Sequence, residues 1–105
     1  LTALPTIIFD EIDTGVSGDV ADKMGGMMQA IAKSIQVISI THLPQIAAKG
    51  DTHLYVYKEE KNNRTYSNIE QLTNHRRIEE IAKMLSTGTP TPAAVKNAQD
   101  LLNTR

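Results

Sequence analysis

The 105-residue chain contains no cysteine, which excludes disulfides, thiolate metal sites and a cysteine nucleophile and fits a cytosolic protein. It lacks any run of about 18 or more apolar residues and any signal-peptide pattern, so neither a membrane span nor an export signal is expected. An excess of one charge is missing too. The net charge of −1 offers no global attraction to DNA or to anionic lipid. Internal repeats and low-complexity tracts are absent. What is present is an ordinary globular composition, 40% hydrophobic and 22% charged, enough for a single domain with a modest core. The chain begins at Leu1 and enters a buried-type strand almost at once, so it is expected to be a piece of a longer one.

That strand is the organising element. In Thr6-Ile7-Ile8-Phe9-Asp10-Glu11 a short run of β-branched and aromatic residues ends in two adjacent carboxylates. Ile7, Ile8 and Phe9 read as a strand buried on both faces, as in the middle of a parallel sheet. Chemistry in open α/β sheets sits just beyond the carboxyl ends of such strands, where Asp10 and Glu11 fall. Neighbouring carboxylates on an apolar strand repel each other unless a cation or a reacting water meets them. The pattern reads as a Walker B element, with Asp10 for magnesium and Glu11 as the base for an attacking water.

The residues that follow place this strand in a βαβ unit. Ser17 suits an N-cap, and Asp19 suits the positive end of a helix dipole. Val20, Met24, Met27, Met28 and Ile31 recur at helical spacing through about Lys33, one apolar stripe for the core. Gly25 and Gly26 cost this helix about 1 kcal/mol each relative to alanine, and close packing against the sheet is the expected compensation. Ile35 to Ile40 is a second strand, parallel to the first across a crossover. It ends in Thr41 and His42, so His42 is expected at the same sheet edge as Asp10 and Glu11. A short helical stretch begins at Pro44. Thr52 to Lys58 and Arg64 to Leu72 form a β-hairpin with Asn62-Asn63 in its turn, Leu54 and Val56 facing one way and Tyr55 and Tyr57 the other. Thr73 or Asn74 caps a helix from about Arg76 to Leu85, with Ile78, Ile81, Ala82 and Leu85 on one face. A last helix, Pro92 to Asn103, turns Ala94, Val95, Ala98, Leu101 and Leu102 inward.

Two strings are narrower than a generic Walker B. Asp10-Glu11-Ile12-Asp13-Thr14-Gly15-Val16-Ser17-Gly18 and Thr41-His42-Leu43-Pro44-Gln45 resemble the carboxy-terminal part of the RecN family, bacterial DNA-repair ATPases related to SMC proteins and ABC-type ATPases. Glu79-Glu80-Ile81-Ala82-Lys83-Met84-Leu85 and Ala98-Gln99-Asp100-Leu101-Leu102 extend the resemblance over nearly the whole chain. It implies an α/β fold: the carboxy-terminal lobe of a P-loop ABC/SMC-type ATPase head, a parallel βαβ core followed by a β-hairpin and two helices, with residues 1–105 as one partial domain. It implies ATP and Mg2+ as cofactors, Asp10 holding the metal through water, Glu11 and His42 as catalytic residues, and His42 as the switch histidine at the γ-phosphate. Asp13 to Ser17 would be the D-loop at a dimer interface, which places Asp13 and Ser17 among the nucleotide-site residues. The implied partners are the amino-terminal lobe, a second head and DNA, in ATP-driven repair and recombination at double-strand breaks, in the bacterial cytoplasm at the nucleoid and away from membranes.

The chain departs from that pattern in lacking the phosphate-cradling Gly-x-x-x-x-Gly-Lys-Ser/Thr loop, the glutamine loop, the coiled coil and the Ser-Gly-Gly signature. Leu85-Ser86-Thr87-Gly88 follows a helix and reads as its ending turn. By itself the chain is therefore expected to bind ATP weakly and not to hydrolyse it. Apolar patches are expected where a missing lobe docks.

Three other readings compete. Asp13-Thr14-Gly15 matches the catalytic triplet of a homodimeric aspartic protease, whose nearly all-β fold conflicts with the helices expected here. An EF-hand starting at Asp10 has glycine at its sixth place, but Ile12 stands where a ligand is needed. Finally, Lys58, Lys61, Arg64, Arg76 and Arg77 could gather into a non-catalytic DNA-binding or interaction surface. Glu59, Glu60, Glu79 and Glu80 are interleaved with them, which suits a solvated face better.

Overall fold

The computed structural model describes residues 5–104, which form four strands and four helices. Strand β1 (Thr6–Asp10) leads to helix α1 (Gly18–Ala32), strand β2 (Gln36–Ile40) and a one-turn helix α2 (Pro44–Ala47). Strands β3 (Leu54–Lys61) and β4 (Arg64–Gln71) follow, then helices α3 (Asn74–Met84) and α4 (Pro92–Asn103). The expected order is thus found, with β3 running to Lys61. Strands β1 and β2 pair in parallel, Ile7 opposite Val37 and Asp10 opposite Ile40. A parallel pair needs a crossover long enough for a helix, and α1 provides it.

Local chemistry sets the helix starts. The Ser17 hydroxyl accepts from the Val20 amide at 3.4 Å, the Thr73 hydroxyl from Arg76 at 3.3 Å, and the Thr91 hydroxyl from Ala94 at 3.1 Å. Each occupies an amide that the first helical turn leaves without a partner. The hairpin turns on Asn62 and Asn63, at φ 53° and 63°. Two successive positive φ values suit a two-residue hairpin loop, and asparagine tolerates them better than most residues.

Two apolar clusters form the core, and α2 joins them. Ala21, Met28 and Ile46 are buried together, with Phe9, Val16, Met24, Val37 and Leu43 packed around them. Ala48, Ile81, Ala82, Ala94 and Ala98 form the other, between α3 and α4. Ile46 lies in the first cluster and Ala48 just beyond α2 in the second, so this short helix is braced from both sides.

The burial of β1 departs from expectation. Among the described residues only one face of the β1–β2 pair is covered, because α1 packs on the side of Phe9 and Val37. On the other face Ile8 is 62% exposed, with Ile38 and Ile40 also exposed. Apolar residues on both faces encode two-sided burial, and the described residues fulfil half of it. The hairpin likewise leaves Leu54, Val56 and Ile69 uncovered. The α1 stripe is narrower than its sequence period suggests, since Val20 and Met27 are exposed. Gly25 and Gly26 also differ from expectation. A side-chain carbon at Gly25 would meet the Lys49 stem at 3.0 Å, whereas one at Gly26 would meet nothing among the described residues. The close approach is thus to the segment after α2, not to the sheet. Lys49 is held there by Asp22 at 3.1 Å and by the Gln29 amide, which donates to its carbonyl.

Candidate functional site

The parallel pair brings its polar ends together. Asp10 closes β1 directly beside Ile40, and the Glu11 amide continues the ladder by donating to the Ile40 carbonyl at 2.8 Å. At Glu11 the backbone turns sharply, with φ 51°, a left-handed conformation unusual for a residue with a side chain. The Thr14 hydroxyl and amide both return to the Glu11 carbonyl, at 2.9 and 3.4 Å, and stabilise the bend. One strand over, His42 follows Thr41 out of β2. Its Nδ1 lies 3.7 Å from Glu11 Oε1, with both side chains more than half exposed. Asp10, Glu11 and His42 therefore share one sheet edge, as the strand register predicts.

At 3.7 Å the Glu11–His42 contact is longer than a hydrogen bond, and it becomes an ion pair only when the imidazole is protonated. Both groups remain open to a ligand. Asp10 is also exposed. Among the described residues no group of three or more histidine, cysteine or carboxylate side chains could hold a metal ion. The donor set is therefore wrong for a protein-caged cation. It fits Mg2+, which keeps most of its water and is bound through one or two carboxylates together with phosphate oxygens.

Of the two other expected site residues, only Asp13 faces inward, and Ser17 is exposed. Asp13 is only 1% exposed. Its Oδ2 accepts from the Thr41 hydroxyl, which itself accepts from the Leu43 amide at 3.0 Å. Asp13 Oδ1 is buried with no partner among the described residues. Ser17 is occupied as the α1 cap. Within the turn Thr14, Gly15 and Ser17 are exposed, and Gly15 adopts φ 81°.

Three of the five basic residues, Lys61, Arg76 and Arg77, are engaged within the chain. Arg76 pairs with Glu70 at 3.3 Å, Glu79 at 3.0 Å and Glu80 at 3.5 Å. Its hydrogen bond to Glu79 raises its pKa further above the ordinary arginine value. The same bond holds Glu79 below the usual carboxylate range. Lys61 pairs with Glu59 at 3.3 Å. Arg77 departs from both expectations for it, since it is buried and donates to the Ala47 carbonyl at 3.1 Å. The DNA-binding surface imagined for these residues is mostly neutralised. The protease reading fails on architecture, because Asp13-Thr14-Gly15 enters a helix in a mixed α/β fold.

Sequence reasoning assigns no role to Thr41 or His53. Thr41 is legible only as part of the Thr41-His42 string. His53 lies at the hairpin base, where its carbonyl accepts from Leu72 at 2.9 Å. Burial, and then the Arg77 charge, hold its pKa below the ordinary 6.5, with Glu80 opposing. Two shallow clefts, of about 200 Å³ beside Arg77 and Leu102 and about 320 Å³ near the hairpin turn, do not touch the Asp10–Glu11–His42 edge.

No family model matches the chain. It is 44% identical over 99 residues to DNA repair protein RecN of Rickettsia conorii, a match covering 94% of this chain and 18% of that protein. Identity to DNA repair protein RecN of Bacillus subtilis is 42% over 97 residues, covering 92% and 17%. For that of Xylella fastidiosa it is 47% over 85 residues, covering 81% and 15%. The chain thus spans less than a fifth of the length of the curated relatives it matches. Among solved structures it superposes with TM-score 0.64 and 17% identity on a chain from a study of ATP-driven dimerization and DNA-stimulated activation of SMC ATPases. That match covers 80% of this chain and 50% of the other. The mixed α/β fold, with its parallel strand pair, hairpin and helices, is therefore shared with part of that SMC ATPase chain.

Proposed function

Because the chain belongs to the RecN family of DNA repair proteins, we propose that it supplies the acidic, water-activating side of an ATP-hydrolysing site. In this reading it is the carboxy-terminal lobe of a head whose phosphate-binding loop lies elsewhere in the full-length protein. The observation that carries the proposal is the convergence of Asp10, Glu11 and His42 on one edge of the parallel pair.

Each residue has a distinct task. Asp10, exposed at the strand end, would hold Mg2+, which when bound would supply charge neutralisation at the phosphoryl oxygens. Glu11 projects beyond the strand on its bent backbone, so its carboxylate can orient a water and accept its proton. His42 stands beside it and offers a hydrogen bond to the γ-phosphate in either charge state. The exposed part of the Asp13–Ser17 turn faces a second head across an ATP-dependent dimer interface. The uncovered face bearing Ile8, Ile38 and Ile40 receives the amino-terminal lobe. The whole protein then couples ATP turnover to repair of DNA double-strand breaks at the bacterial nucleoid.

The test is Glu11→Gln in the full-length protein, which keeps the shape and removes the charge. ATP affinity is expected to be nearly unchanged while turnover falls by a factor on the order of 10² or more. Asp10→Asn is expected to weaken nucleotide and magnesium binding together. Near-normal turnover in Glu11→Gln would refute the assignment.

A further inference from the structure

We infer that Asp13 and Thr41 form a clamp that fixes the Glu11–His42 pair, with Asp13 acting as a positioning residue. The inference rests on the roles given above to Glu11 and His42. The geometry is a closed ring. On one side the Glu11 amide donates to the Ile40 carbonyl at 2.8 Å. On the other, the Thr41 hydroxyl donates to Asp13 Oδ2. Between these two ties stand Glu11 and His42, their side chains 3.7 Å apart.

The Thr41 hydroxyl serves both directions at once. It donates across to Asp13 and accepts from the Leu43 amide at 3.0 Å, so both residues flanking His42 are held by one oxygen. Asp13 is only 1% exposed. A hydrogen bond in such a low-dielectric place is strong and leaves little freedom of orientation. The left-handed bend at Glu11, φ 51°, persists only where its surroundings over-determine it, and the ring does so from the loop side. Asp13 is buried and Thr41 half-buried. Their effect on chemistry is to hold two exposed side chains in register, and a misplacement of about 1 Å at such a pair can cost on the order of a hundredfold in rate.

The test compares Thr41→Val, Thr41→Ser, Asp13→Ala and Glu11→Gln in the full-length protein. Thr41→Val keeps the shape and removes the hydroxyl, and it is expected to lower kcat about ten- to a hundredfold with little change in KM for ATP. Asp13→Ala removes the acceptor and is expected to do the same, so it carries the comparison if circular dichroism shows Thr41→Val to be unfolded. Thr41→Ser retains both hydrogen bonds and is expected to restore kcat to within about threefold of wild type. A crystal structure of full-length Thr41→Val is expected to show the Glu11–His42 pair displaced. Wild-type kcat in Thr41→Val, in a protein that Glu11→Gln inactivates, overturns the clamp. If Glu11→Gln itself keeps turnover, the catalytic reading is what fails. The clamp is then judged by the crystal structure alone, and a pair still at 3.7 Å overturns it.

Discussion

Replacing Arg77 by methionine is expected to loosen the joint between the two halves of the core. Arg77 lies on α3, is buried, and donates to the carbonyl of Ala47 at the end of α2 at 3.1 Å. Methionine keeps most of the apolar stem and removes the donor. Hydrogen bonds from charged groups contribute about 1.5–3 kcal/mol, and this one is part-buried, so a loss of about 2 kcal/mol is expected. Arg77→Ala adds the loss of stem packing, about another 1–2 kcal/mol. Urea unfolding followed by circular dichroism measures both. With a slope of roughly 1 kcal/mol per molar for a chain of this size, Arg77→Met shifts the midpoint down by about 2 M. A second readout is independent of stability. Arg77 is one of the two groups of causes that hold His53 below 6.5, so the His53 resonance in Arg77→Met is expected to titrate at higher pH than in the parent. A midpoint change below about 0.5 M together with an unmoved His53 titration would refute this account of the joint.

Three further outcomes follow from other parts of the structure. Because the fold favours neutral His53, its contribution to stability is complete above the unfolded value of 6.5 and is lost as pH falls through the lower folded value. Urea midpoints between pH 7 and 5 are expected to fall more steeply in the parent than in His53→Gln, and parallel curves would contradict the assignment. Gly26→Ala meets open space in α1 and is expected to stabilise the chain by about 1 kcal/mol through helix propensity. Gly25→Ala is expected to give back that gain against the Lys49 stem at 3.0 Å, and equal effects of the two would exclude the packing argument. The 105-residue chain alone, which lacks a phosphate-cradling loop, is expected to bind ATP weakly and turn none over. Micromolar affinity for Mg-ATP by calorimetry would show that the acidic edge suffices.

Much of this architecture was legible in the sequence because local signals and tertiary needs agree there. Ser17, Thr73 and Thr91 cap helices with oxygens suited to that work, and Asn62-Asn63 makes a turn that few other pairs accept. The strand that ends in Asp10 and the one that ends before His42 have matching apolar lengths, which is enough to bring their ends together. Burial was harder to read. Ile7-Ile8-Phe9 is apolar on both faces, so the sequence describes covering that the described residues provide on one face only. Arg77 shares a helix face with Ile81, four residues on, and could have been placed inward by period. Its charge argues the other way, and the bond it makes to the Ala47 carbonyl offsets that preference. Asp13 was found by motif, but its orientation depends on Thr41, a contact between loops far apart in sequence that no periodicity encodes.

The positive φ at Glu11 also bears on how this protein would respond to engineering. A non-glycine residue held in that conformation costs roughly 1–2 kcal/mol, and glycine would relieve it at a smaller entropic penalty in the unfolded chain, roughly 0.4–1 kcal/mol. Directed evolution for thermostability alone would therefore reward replacement of the one carboxylate proposed to activate water. Heat tolerance and turnover pull in opposite directions at this position. A library screened for both properties is expected to retain Glu11 and to gain its stability at sites such as Gly26, where the helix has nothing to lose.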